Sequence, residues 1–230
     1  MVLKIIKTVW PVMLTYVAIG EPCGMIMAQT GMEPWMVFAL SSTFVTGCGQ
    51  FMACNLWLAG VPAASIVASV AAISSRFALY SASIAPHLAG ASKRQTLAVA
   101  ATLTEEAYGI SLAKLIEGQD WGPRESFALN VILIATWGVS CTMGAVVGAV
   151  VDVPTALASF VCTSLFICLL FSQRLSRGNA VAAVLAAASV AVCKFLGWTN
   201  VAVPVSVLVG VAAALVCDAL AEGRGARDAR

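Results

Sequence analysis

Long apolar stretches, almost free of charged side chains, dominate this chain of 230 residues. Charged residues make up 10% of the sequence and hydrophobic residues 60%, whereas about 25% of the residues in a soluble domain are charged. A water-soluble globule is therefore excluded. The net charge of +2 comes with no basic stripe that could follow phosphates, so nucleic-acid binding is excluded too.

Cutting the sequence at charged or turn-rich stretches gives eight apolar segments, each close to the roughly 20 residues of a membrane-spanning helix. They cover about residues 8–29, 35–59, 61–88, 96–116, 127–151, 155–173, 179–196 and 201–221. Such continuous runs favour helices over the short alternating strands of a barrel. The predicted fold class is all-α: one polytopic transmembrane domain, residues 1–230, with seven or eight transmembrane helices, some of them broken, lying in the lipid bilayer.

Basic residues in the short loops predict the orientation, because cytoplasmic loops carry an excess of Lys and Arg. Eight crossings with a cytoplasmic N-terminus place most of the basic residues inside and leave Lys93, Arg94 and Lys194 outside. The pair Lys93–Arg94 contradicts the rule. A re-entrant segment, and with it seven crossings, therefore stays open.

An internal repeat is visible at an offset of 120 residues. The matched positions are Gly24, Ala28, Pro34 and Thr43 with Gly144, Gly148, Pro154 and Thr163. The offset predicts repeat halves of approximately 1–116 and 120–230, parallel or inverted according to the number of crossings. Duplicated halves are typical of transporters, whose site lies at the repeat interface near the midplane.

Charged side chains occur in the middle of two apolar segments. Arg76 lies midway along segment 61–88, and Glu105 and Glu106 lie midway along segment 96–116. A charge at the bilayer centre costs at least about 2.5 kcal/mol, so it needs a partner, water or a function. If the two segments form an antiparallel pair, these residues share one depth and a salt bridge becomes available.

The two adjacent acids point about 100° apart on a helix, so only one of them can pair with Arg76. Because burial disfavours a charged carboxylate, we expect at least one glutamate of this layer to be protonated. One of Glu105 and Glu106 is thus the predicted partner of Arg76 and the other the predicted proton-coupling group, with Glu21 as a further acid of the layer. The alternative is a static clamp between the helices.

Glycine, proline and serine interrupt the same segments. Gly20, Glu21, Pro22 and Gly24 lie within the first, the stretch around Gln50 lies within the second, and Ser75 precedes the arginine of the third. Each stretch can unwind a helix, and freed amides at membrane depth suit a carboxylate. The alternative is close helix packing, which we favour for Gly144-x-x-x-Gly148 and not for Gly20-x-x-x-Gly24.

Other residue types give little indication of chemistry. The eight cysteines lie in apolar segments without a Cys-x-x-Cys pair, so they are interpreted as packing residues. His87, the only histidine, has no plausible catalytic triad around it. We therefore predict no enzyme activity, no metal site and no cofactor.

Four motifs resemble the AzlC family, the large subunit of branched-chain amino acid exporters. They are Gly20-x-Pro22-x-Gly24, Phe44-x-x-Gly47-x-x-Gln50, Arg76-x-x-Leu79-Tyr80-x-x-x-x-Ala85-Pro86 and Leu103-Thr104-Glu105-Glu106. The resemblance covers residues 8 to 116, and the second half only by its hydrophobic pattern. Departures from the family pattern are Ser74-Ser75, Phe77, Glu105 and Glu21.

This resemblance implies a multi-pass protein of a bacterial cytoplasmic membrane that works with a small AzlD-type subunit. It further implies export of branched-chain or other aliphatic amino acids, coupled to protons. The predicted substrate-binding residues are Gly20, Glu21, Pro22, Gly24, Gln50, Ser75 and Arg76, and the predicted proton-coupling residues are Glu105 and Glu106. The alternative is a non-transporting scaffold or sensor subunit whose buried charges bind a partner helix.

Overall fold

The computed structural model describes residues 1–88, 90–118, 121–150 and 177–198, with short pieces at 160, 163–164, 167, 202, 205–213 and 216–217. All secondary structure in these residues is helical. The helices are α1 (Val2–Gln29), α2 (Pro34–Thr43), α3 (Gly47–Leu58), α4 (Ala63–Ser74), α5 (Arg76–Ile84), α6 (Lys93–Ala101), α7 (Glu105–Glu117), α8 (Pro123–Val150) and α9 (Arg177–Phe195). A 3₁₀ turn, Ala85–Leu88, extends α5. The predicted all-α fold class is confirmed.

Three helices of the described residues are long and apolar enough to cross a bilayer. They are Val2–Gln29, Ala63–Leu88 and Pro123–Val150. The segment predicted at 179–196 coincides with α9, whose apolar part, Ala180–Phe195, is shorter. The predicted segments at 155–173 and 201–221 lie largely outside the described residues.

The chain divides into two compact units. The first unit comprises Met1–Leu58 and Ser74–Cys162, and the second comprises Ala59–Ile73 and Thr163–Arg230. Within the second unit, a Cβ atom added to Gly210 would lie 3.4 Å from the Cβ of Ala186 on α9. The division into repeat halves stays a prediction, because its marker residue Pro154 lies outside the described residues.

Within the first unit, glycines bring the backbones of α1 and α8 into contact. A Cβ atom added to Gly24 would lie 1.8 Å from the carbonyl oxygen of Cys141, and one added to Gly144 would lie 2.0 Å from that of Glu21. Any side chain at either glycine would overlap the opposite main chain, as in close helix pairs of membrane proteins. The packing interpretation of Gly144-x-x-x-Gly148 is confirmed.

The predicted unwinding of α1 around Gly20–Gly24 is wrong. The helix runs without a break from Val2 to Gln29 and includes both Pro11 and Pro22. A proline inside a helix removes one backbone hydrogen bond. Because this turn packs along its glycine face against α8, the tight contact between the two helices holds it in helical geometry.

Helices α1 and α8 run in the same direction. The rings of Tyr16 and Trp137 meet edge to face with centroids 5.4 Å apart, and further along a Cβ atom on Gly148 would lie 3.1 Å from the Cα of Met25. Residue numbers therefore rise together along both helices. The N-terminus of α1 and the N-terminus of α8 lie on the same side of the unit.

The predicted single crossing at 96–116 consists of two half-helices, α6 and α7. The side-chain amide of Asn130, near the start of α8, donates to the carbonyl of Val99 at 3.0 Å and to the hydroxyl of Thr102 at 3.0 Å. Further on, the hydroxyl of Thr104 lies 3.2 Å from that of Tyr16, midway along α1. Helix α6 therefore rises along α8 to the middle of the unit.

Helix α7 returns to the side from which α6 came. Its 13 residues measure about 20 Å, and the connection from Glu117 to Pro123 spans roughly 20 Å at most. If α7 continued in the direction of α6, this connection would have to cover roughly 40 Å. The two half-helices thus form a re-entrant hairpin with its tip at Thr102–Thr104.

Helices α5 and α7 run in parallel, which corrects the expected antiparallel pairing of the charged segments. Arg76 pairs with Glu105 at the start of both helices, and the rings of Tyr80 and Tyr108 stack with centroids 4.6 Å apart one turn later. The acids and the arginine share one depth, as predicted. They do so because the hairpin turns back at its tip, and a continuous antiparallel helix is not involved.

The hairpin removes the conflict in the loop charges. Because α6 begins on the side of the α1 and α8 N-termini, Lys93 and Arg94 lie on the same side as Lys4, Lys7 and Arg124. One side of the first unit therefore carries these basic residues together, in the pattern typical of a cytoplasmic face.

Cysteine labelling tests this arrangement. In a cysteine-free variant, Lys93→Cys and Arg124→Cys should react with a membrane-impermeant thiol reagent from one and the same side of the membrane. The control Glu33→Cys, in the exposed turn after α1, should react from the opposite side. Labelling of Lys93→Cys together with Glu33→Cys would show that α6 and α7 cross the bilayer as one segment.

Alanine substitutions test the contact between α1 and α8. Gly24→Ala should lower the midpoint of thermal unfolding in detergent, because overpacking against main chain costs about 1–3 kcal/mol or more. Gly109→Ala is the matched control, since no atom lies within 4 Å of the added Cβ in α7 and alanine is the better helix former. A Gly24→Ala variant as stable as Gly109→Ala would contradict the backbone contact.

Candidate functional site

Three long helices carry a polar or aromatic side chain at their midpoints. Tyr16 stands at the middle of α1, Arg76 at the middle of the span formed by α4 and α5, and Trp137 at the middle of α8. If these helices cross a bilayer, the three side chains lie close to its midplane. This is the depth at which an unpaired polar group costs most.

An ion pair lies in this layer. Nη1 of Arg76 pairs with Oε1 of Glu105, and the two side chains are 28% and 25% exposed. The thiol of Cys48, in the first turn of α3, lies 3.9 Å from Oε2 of the same carboxylate. The predicted salt bridge is confirmed, and Glu105 is the acid that makes it.

Two half-helices, α3 and α7, begin at the ion pair, next to the first residue of α5. Thr46 and Thr104 precede α3 and α7, and the hydroxyl of each accepts the backbone amide three residues later, that of Gly49 at 3.1 Å and that of Ala107 at 3.2 Å. Arg76 is the first residue of α5. Helix N-termini carry a partial positive charge, so their convergence beside a guanidinium favours an anion.

Gln50 fastens the break between α2 and α3. Its amide nitrogen donates to the carbonyl of Phe44 at 2.6 Å, and its amide oxygen accepts from Trp137 Nε1 at 3.0 Å and from the Ser41 hydroxyl at 3.3 Å. The side chain is 1% exposed. Both polar ends of Gln50 are therefore engaged within the protein, and it satisfies a carbonyl that the broken helix leaves free.

The second acid of the pair is held by neutral groups. The hydroxyl of Tyr16 donates to Oε2 of Glu106 at 2.5 Å and also lies 3.2 Å from the hydroxyl of Thr104. Tyr16 is 6% exposed, whereas Glu106 is exposed. Consecutive positions on α7 thus place one carboxylate against a cation and the next against a phenol.

Part of the Arg76 guanidinium has no partner. Its Nε and Nη2 atoms are buried and make no hydrogen bond to any residue that the structure describes. These two donors lie on one edge of the guanidinium and form the fork that fits the two oxygens of a carboxylate. Because buried donors normally have partners, this edge is the clearest sign of a ligand in the described part of the chain.

The predicted substrate residues lie in two places. Ser75 adjoins the ion pair as the residue before Arg76, and Gln50 lies two residues beyond Cys48 in α3. Gly20 and Gly24 face α8. No hydrogen bond or ion pair joins Glu21 to Arg76, Glu105 or Glu106 among the described residues. Substrate contacts of the Gly20–Gly24 stretch, including Pro22, stay predictions.

Two parts of the site were not predicted from the sequence. The break at Thr102–Thr104 carries a signal that could have revealed it, because a threonine followed by acids in the first turn is typical of a helix start. A capping box of Ser92 with Gln95 likewise begins α6. Tyr16 had no such signal, since a tyrosine in an apolar helix has no partner until the helices pack.

The fold and this site together indicate the class of protein to which the chain belongs. The described residues form apolar helices of membrane-spanning length, interrupted at mid-depth around an arginine and two acids, an arrangement typical of membrane transport proteins. Among the described residues, no three His, Cys, Asp or Glu side chains lie together in a way that could hold a metal ion.

A comparison with protein families identifies the family. The model of the family described as AzlC protein matches residues 11–151, more than half of the chain, and includes every residue of the polar layer. This chain belongs to the AzlC family, and the family together with the apolar helices indicates a protein of membrane transport. No curated protein and no solved structure matches the sequence.

A double-mutant cycle tests the ion pair. Arg76→Gln and Glu105→Gln should each lower the midpoint of thermal unfolding, and the double variant should lose less than their sum, because each single change leaves the other charge alone. We expect a coupling of about 1 kcal/mol or more.

The exposed pair Lys114–Glu117 is the matched control. Its cycle should give a coupling near zero, as is usual for surface pairs. Equal coupling in the two cycles would show that the Arg76–Glu105 pair is no more than a surface contact.

Proposed function

We propose that the protein is a secondary transporter that exports branched-chain or other aliphatic amino acids in exchange with protons, and that it is not an enzyme. Family membership supports the substrate class. The observation that carries the proposal is the unpaired Nε and Nη2 edge of Arg76 at mid-depth. A zwitterionic amino acid offers the carboxylate that this edge lacks.

The bound carboxylate would lie between the N-termini of α3 and α7, next to Arg76. Arg76 would then hold two carboxylates on different atoms, Glu105 at Nη1 and the substrate at Nε and Nη2. The substrate ammonium needs an acid, and Glu105 is the nearest one to that edge; Glu21 is the second candidate. One of Glu105 and Glu106 exchanges the proton.

Access to this edge requires movement. Nε and Nη2 are covered by protein atoms, so an amino acid reaches them only after the side chains around them have separated. Broken helices that meet at the midplane are typical of transporters in which one bundle moves against another. The closed edge therefore fits an occluded state between two open ones.

The setting of the protein forms part of the proposal. We propose a bacterial cytoplasmic membrane, with the N-terminus in the cytoplasm. The basic residues that share one side of the first unit support this orientation. We further propose that a small AzlD-type membrane subunit is the partner of the chain, on the strength of the family alone.

Ligand-dependent stabilisation tests the carboxylate site. Leucine, isoleucine, valine or methionine, at a concentration well above its dissociation constant, should raise the midpoint of thermal unfolding by several degrees. Leucinamide, which has no carboxylate, should not. The purified chain is to be measured alone and with a small AzlD-type subunit.

Substitution of the guanidinium identifies the residue. Arg76→Lys keeps the charge but loses the fork, so leucine should no longer stabilise this variant. Arg94→Lys, an exposed arginine in the first turn of α6, is the control and should respond as the unchanged chain does. Equal stabilisation by leucine and leucinamide would refute the carboxylate site. No stabilisation by any amino acid, with or without the partner, would favour the scaffold or sensor alternative.

A further inference from the structure

Adjacent acids in one site invite the question of which one carries the proton. We infer that Glu106 is the proton-exchanging carboxylate, and that Tyr16 together with Thr104 is the positioning group that keeps it hydrogen-bonded whether or not it carries the proton. The inference deepens the proposed function, on which its meaning for transport rests. The contacts of the two acids carry it.

Glu105 is a poor carrier of the proton. Its carboxylate compensates the charge of Arg76, and protonation would leave the guanidinium without a counterion in a layer where a lone charge is costly. The Cys48 thiol supplies a weak further donor to the same group. A proton on Glu105 therefore removes the contact that holds the starts of α5 and α7 together.

Glu106, in contrast, does not compensate the charge of Arg76. Its described hydrogen bond comes from a neutral hydroxyl, that of Tyr16, and the 2.5 Å distance is typical of a hydroxyl bound to an ionised carboxylate. The side chain is exposed at the surface of the described residues, so a proton reaches it wherever water enters this layer. Its protonation neutralises a charge that no cation compensates by direct contact among the described residues.

The Tyr16 hydroxyl can serve both states of Glu106. When the carboxylate is ionised, the hydroxyl donates to it. When the carboxyl group carries a proton, that proton can be donated to the phenol oxygen, and the phenol proton can turn to Thr104 Oγ1, 3.2 Å away. A threonine hydroxyl accepts two hydrogen bonds, so Thr104 keeps its bond from Ala107.

The proton step itself is simple. A hydronium ion loses one O–H bond and becomes water as its proton forms an O–H bond at a carboxylate oxygen of Glu106, and the reverse step returns the proton to water. No other covalent bond changes. Because the Tyr16 hydroxyl keeps a hydrogen-bond partner in both states, the step avoids the cost of about 1–3 kcal/mol for leaving this buried group unsatisfied.

The groups around Glu106 and its partner Tyr16 come from five helices. Titratable side chains in its electrostatic surroundings are Tyr16 on α1, Cys48 on α3, Arg76 and Tyr80 on α5, and Glu105 on α7 itself. Helix α8 contributes Trp137, which packs on the ring of Tyr16 and does not titrate. Trp137 thereby fixes the ring whose hydroxyl faces Glu106.

Infrared titration of the purified chain tests the assignment without any substrate. Each of the 11 acidic side chains in the sequence absorbs as a protonated carboxyl group at low pH. When the spectra of the unchanged chain and its variants are compared, one of the bands that the unchanged chain loses as the pH rises should come from Glu106. Glu106→Gln should lack this band, and Glu105→Gln should retain it. The reverse pattern, with the band lost in Glu105→Gln and kept in Glu106→Gln, would overturn the inference.

Tyr16→Phe tests the positioning role. Losing a hydrogen bond to a charged group should displace the midpoint of the band by about one pH unit or more, toward alkaline pH, because the ionised form loses its donor. Tyr108→Phe is the matched control: it removes a hydroxyl of α7 that bonds to Ser83 at 3.0 Å, and it should leave the midpoint in place. An unchanged midpoint in Tyr16→Phe would refute the role.

Glu106→Asp, which has the shorter acidic side chain, is the second variant if Glu106→Gln is not inserted into the membrane. Glu106→Asp withdraws the carboxylate from Tyr16 and should displace the midpoint in the same direction as Tyr16→Phe, and an unmoved midpoint would contradict the inference. In vesicles, Glu106→Gln should still exchange leucine in the absence of a pH gradient. A pH gradient should no longer accelerate the transport of leucine by this variant. If leucine neither binds nor moves while the infrared pattern holds, the proposed function alone fails.

Discussion

Lipid offers no partner to a backbone amide or carbonyl, and the first unit is arranged around that constraint. Each break at mid-depth leaves such groups free. At each break, a side chain of the protein forms a hydrogen bond with at least one of them. Gln50 takes the carbonyl of Phe44, Thr46 and Thr104 accept the first amides of the helices that follow, and Asn130 donates to the carbonyl of Val99. Without these bonds the interrupted helices would be too costly to keep inside a membrane.

The same breaks create a site. An unbroken helix satisfies its own amides and presents only side chains, whereas the N-terminus of a half-helix presents a partial positive charge. The breaks before α3 and α7 set two such ends beside one guanidinium. Glu105 compensates Arg76 only on one side, and the donors on the other edge make no hydrogen bond to any described residue. Stability and function thus depend on the same interruptions.

The contact between α1 and α8 gives this site its frame. Glycines allow the main chains of the two helices to come into contact. This contact fixes the depth of Tyr16 relative to Trp137. Tyr16 meets Glu106 only because α1 is a straight, unbroken helix at that level. The glycines expected to open α1 for a substrate therefore act in the opposite way, by holding it closed against its neighbour.

Composition and spacing were enough to predict helices in a membrane, the break before Gln50, and one shared depth for Arg76 and Glu105. The shared depth was predictable because a charged side chain in a long apolar segment needs a partner at its own depth. Composition and spacing could not predict the hairpin of α6 and α7. Apolar runs of equal length cross the bilayer or return, and only packing against α8 distinguishes the two. The choice between Glu105 and Glu106, and the part played by Tyr16, likewise depend on contacts between residues about 30 to 90 positions apart in the chain, which local sequence patterns do not encode.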